Sequence, residues 1–266
     1  MLKSIVTSPD EANLAKIKAT GFAAVEFVTS EDGELGLDAT EEQVGKVRER
    51  VQNQGLSVAS LLTGLNWQYP LTDNDPAVRQ KGKQGVIKAL EIAQIMGTDA
   101  ILVVPGVVND DVAYDVAHQR VLEGVDELVP EAEKRGVAIC LENVWNKLYL
   151  SPLEMASTID HFNSDFVAAY FDVGNVLVSG YPEQWINILG KRVKRIHLKD
   201  WKRSIGNITG FVGLLEGDVN WPAVMGALSD IGYDGPLTAE MGGYEHHNDA
   251  MLHHTSLAID YLLGDV

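Results

Sequence analysis

Four apolar runs in the second half of the chain end in a side chain able to ligate a metal. Val137-Ala138-Ile139-Cys140-Leu141 leads into Glu142, and Phe166-Val167-Ala168-Ala169-Tyr170-Phe171 into Asp172. Ile196 precedes His197, and Pro236-Leu237-Thr238-Ala239 precedes Glu240. A carboxylate at the end of a hydrophobic strand is costly to desolvate, and several brought together repel one another. A divalent cation resolves both difficulties. Three carboxylates and one neutral imidazole make an oxygen-rich set suited to Mn²⁺, Mg²⁺ or Co²⁺. No Cys stands among them, which argues against a structural zinc site. A lone Glu or Asp at a strand end is more often exposed, hydrogen-bonded or helix-capping. Their occurrence on four consecutive strands is what points to a metal.

Those strands belong to a longer alternation of short β-branched runs and segments of helical period. Strands are expected near 2–6, 22–28, 57–62, 99–104, 137–142, 166–172, 193–199 and 236–240. Helices are expected near 9–19, 40–54, 77–97, 111–135, 151–162, 182–190, 220–231 and 246–263. Thr40-Glu41-Glu42-Gln43 and Ser151-Pro152-Leu153-Glu154 both fit the reciprocal capping box at a helix start. Gly21, Gly55, Gly97, Gly136 and Gly232 each stand where a helix should end, shortly before a strand. Eight such units predict a single (β/α)8 TIM barrel over residues 1–266. An open doubly wound sheet would want a Gly-rich loop after its first strand, and none follows here. In a barrel, strands carry their functional groups at their C-terminal ends, where the four candidate ligands fall. Alternation then points Cys140, Tyr170, Arg195 and Thr238 inward below them.

The chain has 266 residues, 38 acidic against 21 basic, and a formal charge of −17. Such a field repels phosphate backbones, so nucleic acid is not an expected partner. The lone Cys140 permits no intrachain disulfide. The first residues show no signal-peptide pattern, and no run approaches the roughly 18 apolar residues of a membrane span. The expectation is a cytoplasmic protein without membrane attachment, with homo-oligomerisation left open.

The motifs ICLENVWN, YFDVGNVL, RIHLKDW, LLEGDVNWPAV and LTAEM resemble those of the sugar phosphate isomerase/epimerase family. That family lies among the xylose isomerase-like barrels, with endonuclease IV, the tagatose/psicose 3-epimerases and inosose-handling enzymes. The resemblance implies that Glu142, Asp172, His197 and Glu240 bind one divalent metal, with Mn²⁺ first and Mg²⁺, Co²⁺ or Zn²⁺ as alternatives. It implies that Glu142 and Glu240 also serve as the two acid/base groups. It places Arg203, six residues after His197, against substrate oxygens. Two positions depart from the pattern. Asn175 stands where relatives carry the His of an Asp-x-x-His motif; an amide binds a hydroxyl but carries no proton. Leu148 stands where the ketose epimerases place a substrate-contacting Glu.

The implied activity is a metal-dependent isomerase or epimerase of a ketose, ketose phosphate or related keto-polyol. One Glu would remove a proton beside the carbonyl to give an enediolate held at the metal, and the other would return a proton. A lyase or dehydratase acting on an inosose or keto-sugar shares the first step, and a catalytically weak sugar-binding relative would keep the ligands. Lys199 lies on the same side of its strand as His197, to bind substrate or to pair with a carboxylate. Asp200 reads as a supporting acceptor or cap. Trp67 and Trp145, on the loops after the third and fifth strands, either cover an apolar sugar face or pack the loops. His246, His247, His253 and His254 read as surface or interface positions on the last helix.

Overall fold

The computed structural model describes residues 1–264, and in it the predicted alternation closes on itself. Eight parallel strands form the barrel: β1 (Leu2–Thr7), β2 (Ala24–Thr29), β3 (Ser57–Thr63), β4 (Ala100–Val103), β5 (Ala138–Glu142), β6 (Val167–Asp172), β7 (Val193–Leu198) and β10 (Pro236–Ala239). They run in order around the wall, and β10 closes the ring between β7 and β1. A short antiparallel ribbon, β8 (Asp200–Trp201) with β9 (Phe211–Val212), is inserted after β7. The helices are α1 (Glu11–Ala19), α2 (Glu41–Asn53), α3 (Pro76–Met96), α4 (Tyr114–Asp126), α5 (Val129–Arg135), α6 (Pro152–His161), α7 (Val173–Val176), α8 (Pro182–Leu189), α9 (Trp221–Asp230) and α10 (Asn248–Leu263). Among the described residues no helix is long and apolar enough to cross a membrane.

Period-two alternation sorts the strand residues into two layers. Ile139, Leu141, Ala169, Phe171, Ile196, Leu198, Leu237 and Ala239 face the helices and join the main core. Ala138, Cys140, Ala168 and Tyr170 turn inward with Leu102 and Val104 and fill the barrel. Each large apolar side chain removed from water contributes about 1.5–3 kcal/mol, so slipping any strand by one residue would forfeit several such terms. This cost locks the register that carries Glu142, Asp172 and His197 to the inner side of the strand ends.

Local chemistry explains most element boundaries. At α2 the capping box forms: the Gln43 N–H donates to Thr40 Oγ1 at 3.3 Å, and the Thr40 N–H to Gln43 Oε1 at 2.8 Å. At α6 it does not. Ser151 Oγ accepts from the Leu153 N–H at 3.2 Å, but Glu154 instead accepts from the Tyr114 hydroxyl at 2.5 Å. The helix expected over 111–135 is two, α4 and α5. Pro130 lies in the first turn of α5, where its missing N–H costs nothing, whereas inside one continuous helix it would break the ladder. Gly97 and Gly136 end α3 and α5 in the left-handed region, at φ +77° and +65°. The last helix begins at Asn248, so His246 and His247 precede it and do not lie on its face as expected.

The ribbon after β7 is anchored by Asp200, whose buried carboxylate accepts four hydrogen bonds. Oδ1 takes the N–H groups of Trp201 and Val219, at 2.9 and 3.2 Å. Oδ2 takes the Leu215 N–H and the Trp221 indole N–H, at 3.1 and 3.0 Å. The 213–221 loop therefore folds around one acceptor. Gly217 passes so close that a Cβ there would lie 2.0 Å from Asp200 Oδ1 and 2.6 Å from the Trp201 nitrogen. Gly217→Ala should accordingly lower unfolding stability by about 1–3 kcal/mol in urea titration, as overpacking does elsewhere. An unchanged midpoint would show that the loop is not held at this distance.

Candidate metal centre

Glu142 is the last residue of β5, Asp172 the last of β6, His197 the penultimate residue of β7, and Glu240 the first residue past β10. Barrel closure brings one ligand atom from each within 4.8 Å of the others. His197 Nδ1 lies 3.0 Å from Glu240 Oε2, 3.8 Å from Glu142 Oε1 and 3.9 Å from Asp172 Oδ2. Two buried atoms of the set, His197 Nδ1 and Asp172 Oδ2, have ion-pair neighbours in Glu240 and Lys199 but make no well-directed hydrogen bond. Unsatisfied buried polar atoms are rare. A converging pair of them, one imidazole nitrogen and one carboxylate oxygen, fits a site for one divalent cation.

Neighbouring side chains fix these groups in place. The Asn143 side chain clasps the end of β6, donating to the Asp172 carbonyl and accepting from the Asp172 N–H, both at 2.8 Å. Asp172 also caps α7, with Oδ1 accepting from the Asn175 N–H at 2.8 Å. Its other oxygen is thereby left facing the cluster. Asn175 is buried behind Glu142. Its amide donates to the Asn143 carbonyl at 3.1 Å and, more weakly, to Glu142 Oε1 at 3.5 Å. Gly174 lets α7 press against the exit of β7; a Cβ there would lie 2.5 Å from Lys199 Cβ. Lys199 is thus held with Nζ 2.7 Å from Glu240 Oε2 and 3.1 Å from Asp172 Oδ2.

The charges are strongly coupled. Burial pushes the Glu142 and Asp172 carboxyls up. At Glu240 burial acts the same way, but contact with His197 and Lys199 outweighs it and holds that carboxyl below its ordinary range. Burial disfavours cationic Lys199, yet Asp172, Glu142 and Glu240 together raise its pKa. Burial also opposes an imidazolium at His197, and is overcome by the Glu26, Glu142 and Glu240 carboxylates, which raise it well above the usual range. Protons and Lys199 here offset carboxylate repulsion, and metal binding to such a set is coupled to proton release.

The other predicted residues disperse. A cavity of about 850 Å³ opens beside the ligands, lined by Lys199, Glu240, Phe211, Glu216, Tyr244 and His254 among others. Lys199 is therefore shared by cluster and cavity. Trp145 donates from its indole to the Asn175 carbonyl at 2.9 Å and packs on Trp201 and Phe211. Arg203 turns to a separate cleft, its guanidinium 5.1 Å from the Tyr181 ring and donating to the Gly180 carbonyl at 3.3 Å. Trp67 follows a 3-10 turn after β3 and is half exposed. Cys140 lies on the barrel floor, where burial pushes its thiol up to about 12. Of the four C-terminal His residues, His254 reaches the cavity wall, its Nδ1 3.1 Å from the Tyr244 hydroxyl.

Two buried residues went unread in the sequence. Asn143 is the clasp described above. Glu26, in the middle of the apolar run Ala24-Val25-Glu26-Phe27-Val28, accepts from His197 Nε2 at 2.8 Å. Its signal was a charge inside an otherwise apolar strand.

Geometry and topology together define a xylose isomerase-like barrel. Residues 14–258 match the family model of that description, and the chain belongs to the xylose isomerase-like TIM barrel family. Among characterised proteins it is similar to L-ribulose-5-phosphate 3-epimerase of Salmonella paratyphi C, 28% identical over 236 residues, covering 88% of this chain and 82% of that protein. The protein of the same name from Escherichia coli O1:K1 is 27% identical over 227 residues, covering 84% and 79%. In fold the chain is similar to the D-psicose 3-epimerase of Clostridium cellulolyticum H10 solved with D-tagatose, with a TM-score of 0.82 and 18% identity over 99% of each chain. An L-ribulose 3-epimerase structure gives a TM-score of 0.82 at 18% identity, over 99% of this chain and 95% of that one.

Saturating Mn²⁺, about a hundredfold above its dissociation constant, should stabilise the protein by about 2.7 kcal/mol. For a chain of this size that raises the melting temperature by roughly 5–10 °C. Asp172→Asn should fold but lose the shift in a thermal melt with and without Mn²⁺. An equal shift in the variant would place the ion elsewhere.

Proposed function

We propose that this chain is a divalent-metal-dependent 3-epimerase of a ketose or ketose phosphate, with Glu142 and Glu240 as its proton-transfer groups and Mn²⁺ as the preferred ion. The observation carrying this reading is the convergence of three carboxylates and one imidazole at the open end of the barrel, beside a cavity large enough for a sugar. The relatives named as 3-epimerases support the reaction type, and their two substrate classes, free and 5-phosphorylated, bound the substrate.

Glu142, Asp172, His197 and Glu240 would hold the ion, which when bound supplies Lewis-acid stabilisation of negative charge developing on the substrate oxygens. The rest falls to the chain's own groups. A carboxylate accepts the proton from C3 of the ketose, and the C–H electron pair moves into a C2–C3 double bond as charge passes to the C2 oxygen. The opposite carboxyl returns a proton to C3 from the other face, restoring the carbonyl with inverted configuration. In the ion-free protein the two start unequal: cationic neighbours hold the Glu240 carboxyl below its ordinary range, while burial pushes that of Glu142 up. For the reverse reaction the roles exchange. Lys199, between Asp172 and Glu240 and at the cavity wall, would offer a positive charge to the enediolate.

The test is solvent exchange. Mn²⁺-loaded protein in D₂O, offered L-ribulose 5-phosphate, D-psicose and D-tagatose separately, should introduce deuterium at C3 of at least one and yield its C3 epimer without loss of water. Glu240→Gln, assayed at saturating Mn²⁺, should cut kcat by about 10²–10⁴-fold, the usual contribution of a general base. Undiminished exchange in that variant, or dehydration instead of epimerisation, would overturn the assignment.

A further inference from the structure

Glu26 does not line the cavity and hydrogen-bonds to none of the three candidate carboxylate ligands, yet its carboxylate meets three other side chains. It is fully buried, on the second strand, facing inward. His197 Nε2 meets its Oε1 at 2.8 Å, and the hydroxyls of Ser60 and Tyr170 both donate to its Oε2. Those two hydroxyls are 2.9 Å apart. The Tyr170 ring also packs on the His197 imidazole, with centroids 4.4 Å apart. All four side chains are completely excluded from water.

Two irregularities in the wall assemble this group. Along β2 and β3 the register skips Ala59, so that Ser60 stands opposite Glu26. Along β6 and β7 it skips Lys194, so that Tyr170 stands opposite Arg195 and Asp172 opposite His197. A one-residue bulge re-aims the side chains beyond it. Without the two shifts, alternation would not turn these groups toward one another.

We infer that Glu26 is a positioning residue for the metal ligand: by accepting from Nε2 it fixes the tilt of His197 and, once the ring is neutral, its tautomer, so that Nδ1 faces Glu142, Asp172 and Glu240. An imidazole has two nitrogens, and a neutral ring that donates from one presents a lone pair at the other. Ser60 and Tyr170 occupy Oε2, which leaves Oε1 to the imidazole and stops the carboxylate from rotating away. On the far side of the ring Nδ1 faces the cluster, 3.0 Å from Glu240 Oε2, which agrees with this assignment. Such carboxylate–histidine contacts orient ligands and raise their basicity, and their loss commonly lowers metal affinity about 10–100-fold. The inference rests on the metal reading above, and its test separates the two.

Mn²⁺ binding is measured by calorimetry for wild type, Glu26→Ala and Glu26→Gln. In parallel, the His197 ring is observed by long-range ¹H–¹⁵N spectroscopy of the Zn²⁺-loaded proteins. Wild type should bind one Mn²⁺ and show the ring proton on Nε2. Glu26→Ala should lose about 10–100-fold in Mn²⁺ affinity and lose the protected Nε2 proton. Glu26→Gln, isosteric and still able to accept, should keep the Nε2 proton and most of the affinity, and it guards against a folding failure of the alanine variant. Equal affinity in wild type and Glu26→Ala overturns the Glu26 assignment and leaves the metal reading standing. So does a ring proton on Nδ1, or a Gln variant as weak as the Ala variant. A wild type that binds no Mn²⁺ overturns both.

Discussion

Carboxylate repulsion in a water-poor barrel mouth is the constraint on which the rest of this structure depends. Glu142, Asp172 and Glu240 converge with His197 at distances where like charges in a low dielectric cannot all ionise uncompensated. The fold holds them together anyway, because Glu142, Asp172 and His197 lie on strands whose other face is sunk in the core and Glu240 directly follows one. Compensation comes from Lys199, bridging two of the carboxylates, and from His197, held between Glu26 on one side and the cluster on the other. A site so arranged stays stable because neighbours neutralise it, and it offers a dication ligands already in position.

Around this centre the supporting residues are chosen for closeness of approach. Gly174 and Gly217 stand where a methyl group would collide with Lys199 and Asp200 respectively. Asn143 and Asn175 tie the ends of β5 and β6 to each other, so that two ligands from different strands behave as one rigid unit. Asp200, two residues from the lysine, gathers the whole 213–221 loop onto a single carboxylate. These contacts keep the cavity wall rigid beside a centre that has charge to spare.

Much of this architecture was legible from local pattern. Short β-branched runs, glycines at helix ends and a capping box at Thr40 are rules of neighbouring residues, and they located the eight barrel strands within a residue or two. The same alternation put Cys140 and Tyr170 inside the barrel and the four candidate ligands at its mouth. The failures have physical causes. Glu154 had two acceptable partners, its own helix start or Tyr114, and packing chose Tyr114. A helical period ran through Pro130 without showing that the chain would break there. Arg203, six residues past His197, follows the inserted β8 and turns toward Tyr181, because a residue beyond the strand end takes its direction from the loop.

By itself, then, the sequence determined the count and order of the βα units and the four ionisable side chains that converge at the barrel mouth. Both follow from periodicity and from the cost of burying charge at a strand end. Only the tertiary structure decided which groups hold those side chains. Glu26 is 171 residues from His197 and meets it through a closed ring of strands and two register shifts. Lys199 was open to either substrate or carboxylate, and the fold set it both between Asp172 and Glu240 and at the cavity wall. Pairings of that kind depend on how distant strands are registered and bulged, which packing across the whole barrel settles and no local pattern encodes.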